Sequence, residues 1–173
     1  KKNKINIFRG SSDDVLDRYY QLSKKLKPKH IVRITADCPV IDPKVIDHIL
    51  RIHIQEGHDY TSNTLDVPYP DGQDVEVFKF SVLHKAWKES KLASEREHVT
   101  PFIKFNEDIF DIKKVFHKLD HSLYRWTLDE KEDLELINYF FEELYDKNPL
   151  FGMEDLIQLN KNNKNLVNIN SMH

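Results

Sequence analysis

A run of apolar and β-branched residues from 30 to 36 constrains the fold of this chain more than any other feature. It reads HIVRITA, which is typical of a buried strand in a parallel sheet. Apolar residues recur at helical spacing on either side of it, from Val15 to Leu26 and from Val45 to Ile54. The Asp-Pro pair at 42–43 is a start signal for the second helix. Successive strand–helix units predict an α/β fold.

Other elements follow from turn residues and apolar periodicity. Ile5 to Phe8 reads as a buried strand, and Ser11 or Ser12 is predicted to cap the helix after it. Downstream, the pattern predicts a strand at 59–62, a turn at 67–72, a strand at 74–78, a helix capped by Ser81, a short helix with a capping box of Ser94 and Glu97, strands at 112–116 and 123–128, a helix with Leu134, Ile137, Phe141 and Leu144 inward, and a last helix around 154–159. No repeat or linker interrupts the chain, so residues 1–173 are predicted to form a single domain.

The charge and cysteine content argue against several classes of function. The 26 Lys and Arg residues face 29 Asp and Glu residues, a formal net charge of −3, without the basic excess of a nucleic-acid-binding domain. The single cysteine, Cys38, cannot form an internal disulfide, and the sequence shows no secretory pattern or long apolar run. We therefore expect a cytoplasmic protein with no nucleic-acid or membrane partner.

Two aspartates each follow a predicted strand directly: Asp37 after the 30–36 run, and Asp129 after the later strand. Ligands of open α/β sheets bind at the carboxyl ends of the strands, where these carboxylates would meet. Such a pair suits Mg²⁺, which takes few protein ligands and keeps phosphate oxygens in its shell. Both residues also fit structural roles, Asp129 in a capping box with Glu132 and Asp37 in a turn.

Five segments resemble the CTP-dependent sugar nucleotidyltransferases of the spore-coat polysaccharide and acylneuraminate cytidylyltransferase type. They are FRGSSDDVLDRYY at 8–20, VRITADCPVID at 32–42, YPDGQDVEVF at 69–78, SEREHVTP at 94–101, and RWTLD with a following EDL at 125–134. Their order and spacing span nearly the whole chain, so the match does not rest on one short motif.

The resemblance implies a nucleotide-diphosphosugar transferase-like fold, a Rossmann-like mixed sheet flanked by helices. It also implies a reaction in which a hydroxyl of a sugar acid attacks the α-phosphorus of CTP and pyrophosphate leaves, in surface-polysaccharide or glycan synthesis. Asp37 and Asp129 would be the catalytic residues that hold Mg²⁺. The other implied roles are nucleotide binding by Arg9, Gly10, Ser11 and Asp14, and sugar binding by Asp71, Asp74, Glu76, Glu97, His98 and Arg125.

The sugar-site residues fit structural roles as well. Alternation puts Asp74 and Glu76 on one face of their strand, which fits a solvated surface. Glu97 fits a capping box and His98 a packed helix histidine, and Arg125, like Arg96 outside this set, fits a structural ion pair. Cys38 fits a small buried apolar side chain, since no His/Asn arrangement supports a thiol nucleophile.

The family's N-terminal strand and its phosphate-binding loop, rich in Gly, Arg, Ser and Lys, have no counterpart in this sequence. We expect the chain to be inactive by itself, because that loop offsets the charge of the triphosphate. A preceding segment of the gene product, proteolytic cleavage, or completion of the fold by another chain would each explain the difference. The alternative function is a non-catalytic sugar-binding or assembly module derived from a nucleotidyltransferase.

The 69–72 turn and the 74–78 strand are predicted to project an apolar and aromatic arm that carries Tyr69, Val77 and Phe78. A domain of this size would have difficulty covering such an arm. The family resemblance also points to a homodimer formed there.

Overall fold

A computed structural model describes residues 5–65 and 68–170 of the chain. It is a mixed α/β structure with a four-stranded sheet flanked by helices, which confirms the predicted class. In chain order the described elements are α1 (Val15–Leu26), β1 (His30–Arg33), α2 (Pro43–Glu56), β2 (Tyr60–Ser62), β3 (Glu76–Lys79), α3 (Phe80–Glu89), α4 (Ala93–His98), α5 (Pro101–Lys104), β4 (Ile112–Lys114), α6 (Lys131–Leu144), α7 (Met153–Asn162) and a 3₁₀ helix (Lys164–Asn168). The strand order is β1-β3-β2-β4. None of these helices is long and apolar enough to cross a membrane.

The chain divides into two compact units. The first comprises Lys1–Ile31, His58–Tyr60 and Phe78–Ile112, and the second comprises Val32–Gly57, Thr61–Val77 and Lys113–His173. In the first unit, Tyr20 of α1 stacks on Trp87 of α3 with 4.0 Å between ring centroids. In the second unit, α2, α6 and α7 pack around a core that includes Ile49, Val75, Trp126, Ile137, Phe140 and Leu156. A single domain over residues 1–173 stays a prediction.

The segment before α1 is not the buried strand that its sequence predicts. Residues 5–10 are irregular, and the side chains of Ile5 and Ile7 are 73% and 76% exposed. An apolar segment becomes a strand where a neighbouring strand satisfies its backbone groups. None of the four described strands pairs with this segment.

The caps of α1 differ from the prediction. Asp14 is the N-cap, and its carboxylate accepts a hydrogen bond from the Asp17 N–H at 2.9 Å, so neither Ser11 nor Ser12 has this role. Ser11 Oγ instead accepts from the N–H groups of Asp13 and Asp14, at 3.2 and 3.0 Å. The serine thus shapes the turn before the helix and leaves the cap to a stronger acceptor.

The starts of α3 and α4 differ as well. α3 begins one residue before Ser81, with no side-chain cap. α4 is capped by Glu95, whose carboxylate accepts from the Leu92 N–H at 3.1 Å, so the predicted capping box of Ser94 and Glu97 is wrong. The helix begins two residues earlier than predicted, which leaves Glu97 out of the cap.

Residues 123–128 contribute no strand to the described sheet; Arg125 forms an isolated bridge with Asp71. The helix after them, α6, also turns a different face inward. Leu136, Ile137 and Phe140 are buried, whereas Leu134 and Phe141, on the predicted inner face, are partly exposed. Asp133 is also on the buried face of α6. Its carboxylate accepts a hydrogen bond from the N-cap backbone, and this contact needs the first turn to face inward.

The predicted apolar arm is wrong. Tyr69, Val77 and Phe78 are all buried in their own chain. The physical reason is that β3 lies inside the sheet between β1 and β2, so both of its edges are paired.

One buried carboxylate joins the starts of two helices in the second unit. As predicted, Asp42 caps α2, and its Oδ1 accepts from the Lys44 N–H at 2.7 Å. Its Oδ2 accepts from the N–H of Met153, the first residue of α7, at 2.8 Å. A Cβ at Gly152 would collide with this carboxylate, so the glycine is needed here for space.

We predict that Asp42→Ala lowers the free energy of unfolding of the full-length protein by about 2 to 4 kcal/mol, because two helices lose a cap and each cap contributes about 1 to 2 kcal/mol. Urea unfolding followed by circular dichroism measures this change. Asp47→Ala, at an exposed position of the same helix, is the control and should stay within about 0.5 kcal/mol of the wild type. Equal effects of the two substitutions would contradict the double cap.

Candidate active site

Three loops of the second unit form what we call the platform. They are residues 35–42, 70–75 and 124–129. The Leu128 N–H donates to the carbonyl of Asp37 at 2.8 Å, and the Trp126 N–H donates to the carbonyl of Asp71 at 2.8 Å. Each loop is therefore held to another by backbone hydrogen bonds, which do not depend on exposed side chains.

Gln73 fixes the platform from within. It is fully buried, its Oε1 accepts from the Asp42 N–H at 3.0 Å, and its Nε2 donates to the Val40 carbonyl at 2.9 Å. Asn63 holds the other side of this residue, since its Nδ2 donates to the Gln73 carbonyl at 2.7 Å. The glutamine of the YPDGQDVE segment therefore has a structural role, because its hydrogen bonds align the loops of the platform.

Arg125 is the central cation of the platform. Its guanidinium donates to Asp71 at 3.0 Å, to Asp129 at 2.8 Å and to Asp133 at 3.1 Å. Burial by itself lowers the pKa of Arg125, but the hydrogen bonds to Asp133 and Asp129 hold it above its ordinary value. The ion-pair role considered for Arg125 is present, and its sugar-binding role stays a prediction.

Asp133 is the buried carboxylate partner of Arg125. It is fully buried, and its Oδ2 also accepts from the N–H groups of Asp129 and Glu130 at 3.0 and 2.9 Å. Asn170 donates to its Oδ1 at 2.7 Å. Burial alone raises the pKa of this carboxyl, but these hydrogen bonds and Arg125 lower it well below its usual range. Asp133 therefore caps α6, and the capping box proposed for Asp129 with Glu132 is wrong.

Asp37 and Asp74 lie around a buried thiol. Cys38 Sγ is 3.6 Å from the Asp37 carboxylate and 3.2 Å from the Thr35 hydroxyl. Burial, together with the negative charges of Asp74 and Asp37, raises the pKa of Cys38 to about 11. The thiol is protonated at neutral pH, in agreement with its interpretation as a buried apolar side chain.

A polar pocket of about 220 Å³ adjoins the platform, lined by Asn63, Thr64, Tyr69, Pro70, Asp71, Asp74 and Ser122. Amide, hydroxyl and carboxylate groups of this kind donate to and accept from sugar hydroxyls. Two of the predicted sugar-binding residues, Asp71 and Asp74, therefore share one pocket.

Glu76 has a different position from these two. It is buried in β3 and forms an ion pair with Arg33 of β1, so the solvated strand face considered for it is wrong. The inward turn of Glu76 follows from the place of β3 between two strands. Its contact with a sugar stays a prediction.

The predicted nucleotide-binding residues lie in the first unit. Asp14 Oδ2 accepts from Arg96 Nη2 at 2.5 Å and from Nε at 3.0 Å. A cavity of about 490 Å³ there is lined by Ser12, Asp13, Asp14, Ala93, Arg96 and Glu97. Of the predicted nucleotide-binding residues, Asp14 lines this cavity together with Glu97, whereas Arg9 and Gly10 lie on the exposed segment before it.

His98 is followed by a strained turn. The Thr100 N–H donates to the His98 carbonyl at 2.8 Å, which places Val99 at φ +72°, a backbone conformation that branched residues rarely adopt. The fully buried side chain of Val99 holds the turn in place. His98 itself is exposed at the end of α4.

Sequence patterns did not identify Gln73, Asp133 or Asn170 as residues of this site. An acidic residue at the third position of α6 is a capping signal that could have indicated Asp133. Asn170 has no local signal, since its partner lies 37 residues away.

A metal at the platform would rely on few protein ligands. A backbone hydrogen bond joins Asp37 to Leu128, the residue before Asp129, and the side chain of Asp129 is 49% exposed. Within residues 5–65 and 68–170 no group of three or more His, Cys, Asp or Glu side chains has the geometry of a metal site. A two-carboxylate site suits Mg²⁺, which keeps several waters or substrate oxygens.

Comparison with known proteins assigns the chain to a sequence family. A sequence model of the family described as cytidylyltransferase matches residues 2–169. The chain belongs to the cytidylyltransferase family. It is therefore a nucleotidyltransferase by family, and the resemblance seen in the five segments is confirmed.

Two relatives and one solved structure are similar to the chain over most of its length. The spore coat polysaccharide biosynthesis protein SpsF of Bacillus subtilis is 30% identical over 164 residues, which cover 93% of this chain and 67% of SpsF. An uncharacterized protein of Methanocaldococcus jannaschii is 36% identical over 174 residues, 96% of this chain and 68% of that protein. The structure of a cytidylyltransferase from Leptospira borgpetersenii superposes with a TM-score of 0.90 at 32% identity and covers 96% of this chain and 70% of that one.

Proposed function

We propose that the protein transfers a cytidylyl group from CTP to a sugar acid, with Mg²⁺ held by Asp37 and Asp129. The observation that supports this proposal is the backbone hydrogen bond from Leu128, the residue before Asp129, to Asp37; a polar pocket adjoins the same platform. The product would be a CMP-sugar for polysaccharide or glycan synthesis, by analogy with SpsF. The reaction would take place in the cytoplasm.

The charges of the platform fit a divalent cation. One guanidinium, that of Arg125, faces three carboxylates, so the cluster keeps a negative excess. The hydrogen bonds described for Asp129 use Oδ2, which leaves its other oxygen available for a metal. When bound, Mg²⁺ would neutralise charge on the triphosphate and orient its α-phosphate.

The chain's own residues then have distinct tasks. Asp71 and Asp74 accept hydrogen bonds from sugar hydroxyls and orient the one that attacks. As the hydroxyl oxygen forms a bond to the α-phosphorus, its proton passes to the Asp71 or Asp74 carboxylate that holds it, the bond from that phosphorus to the bridging oxygen breaks, and pyrophosphate leaves with the electron pair. In the first unit, the cavity lined by Asp14, Arg96 and Glu97 would receive the nucleoside, and the sugar contacts of Glu97 and His98 stay predictions.

We predict that Asp37→Asn and Asp129→Asn each abolish turnover in the full-length protein and change the free energy of unfolding by no more than about 1 kcal/mol. Asn keeps the shape of the side chain but removes the charge that binds Mg²⁺. Steady-state assays across Mg²⁺ concentrations, paired with melting curves, measure both effects. Asp47→Asn, exposed on α2, is the matched control. Near wild-type turnover in both variants at low Mg²⁺ would exclude this metal site, whereas a wild-type protein without turnover would favour the non-catalytic sugar-binding or assembly module.

We predict that CTP with Mg²⁺ raises the melting temperature of the full-length protein more than UTP, GTP or ATP does. A ligand at about 100 times its Kd stabilises the native state by about 2.7 kcal/mol, which corresponds to roughly 5 to 10 °C. Differential scanning fluorimetry measures the shift. An equal shift with all four nucleotides would refute selectivity for cytosine.

A homodimer is also part of this proposal, although through a different surface from the one first predicted. Phe116, Leu119 and Leu123 are 62%, 60% and 83% exposed on one segment of the second unit. We expect the full-length protein to sediment as a dimer and the double variant Phe116→Ser/Leu123→Ser to shift toward monomer. Analytical ultracentrifugation tests this, and a monomeric wild type would refute it.

A further inference from the structure

The last described part of the chain reaches back to the platform. The 3₁₀ helix Lys164–Asn168 is anchored in the core by Leu166, and Asn170 follows it. The side chain of Asn170 is buried, although amides of this kind usually lie at the surface. Its position therefore requires partners for its polar atoms.

The amide of Asn170 finds both partners on the residues that surround Asp129. Its Nδ2 donates to Asp133 Oδ1 at 2.7 Å and to the carbonyl of Arg125 at 3.1 Å. Asp133 in turn accepts from the Asp129 N–H, and Arg125 donates to the Asp129 carboxylate. A single amide thus contacts the two residues that fix the backbone and the side chain of Asp129.

The two oxygens of Asp133 are used unequally. Oδ2 accepts from Arg125 and from the N–H groups of Asp129 and Glu130, whereas the hydrogen bond described for Oδ1 comes from Asn170. Asp133 is fully buried, so water cannot replace that donor without rearrangement. Without Asn170 the carboxylate would rotate to share its remaining donors, and the Asp129 N–H and Arg125 would move with it.

We propose that Asn170 is a positioning residue for the metal carboxylate Asp129, acting through Asp133 and Arg125. This inference rests on the proposed function, in which Asp129 binds a divalent cation. An amide is required at this position, because an aspartate would place a second negative charge against Asp133.

The experiment measures metal binding apart from turnover. Mn²⁺ is titrated into the full-length protein, and free Mn²⁺ is followed by electron paramagnetic resonance; the Mg²⁺ concentration that half-activates the enzyme is measured in parallel. We expect Asn170→Ala to weaken Mn²⁺ binding and raise the half-activating Mg²⁺ about tenfold, as for other residues that orient metal ligands. The KM for the sugar and the rate at saturating Mg²⁺ should remain near wild type. Asn165→Ala, exposed in the same 3₁₀ helix, is the control.

Two further variants separate positioning from stability. Asn170→Ser keeps a hydrogen-bonding group and should give an intermediate Mn²⁺ affinity, whereas Asn170→Asp should weaken binding more than Asn170→Ala. All are compared at a temperature where near-ultraviolet circular dichroism matches the wild type. A lower melting temperature with unchanged Mn²⁺ affinity in Asn170→Ala and Asn170→Ser overturns the inference.

The outcome also distinguishes this inference from the proposed function. If Asp37→Asn binds Mn²⁺ as the wild type does, the metal site itself is wrong. If Asp37→Asn loses binding while Asn170→Ala retains it, the metal site stands and only the role of Asn170 is refuted.

Discussion

The geometry of the platform depends on the ion pairs of the Arg125 guanidinium. Its three carboxylate partners come from separate segments: Asp71 from one loop, Asp129 from the end of another, and Asp133 from the first turn of α6. A planar cation with several donors can satisfy such a set, whereas a lysine could not. Loss of the cation would leave the charge of the buried Asp133 without its ion-pair partner. Removal of Arg125 should therefore destabilise the folded state strongly.

Local signals explain how much of the fold could be predicted. The β-branched run produced β1, and the Asp42 cap and Gly57 stop define α2, because each signal acts within a few residues. Predictions based on serine caps were wrong where a carboxylate nearby competed, as Asp14 and Glu95 did. The 123–128 segment was predicted as a strand because its pattern is strand-like, but its partner is a loop and gives only a bridge.

In the candidate site, too, some residues could be predicted from the sequence and others could not. Asp37 and Asp129 could be proposed from sequence because each follows a strand-like run, and a backbone hydrogen bond joins Asp37 to Leu128, the neighbour of Asp129. Gln73 and Asn170 could not be proposed, because their roles depend on backbone groups and side chains far along the chain. Candidate ligand-binding residues can be proposed from their position at the end of a strand or helix. Residues that align loops are recognised only from contacts in the folded chain.

Gly72 shows what this means for interpreting genetic data. Its φ is +95°, and a Cβ there would lie 2.7 Å from the carbonyl carbon of Trp126, in the middle of the segment that leads to Asp129. Any side chain would displace that segment and with it the carboxylate. A mutational screen scored by activity would therefore rank Gly72 with the catalytic residues, although a hydrogen atom cannot take part in the chemistry. Loss of function at this position reports a steric limit on the backbone.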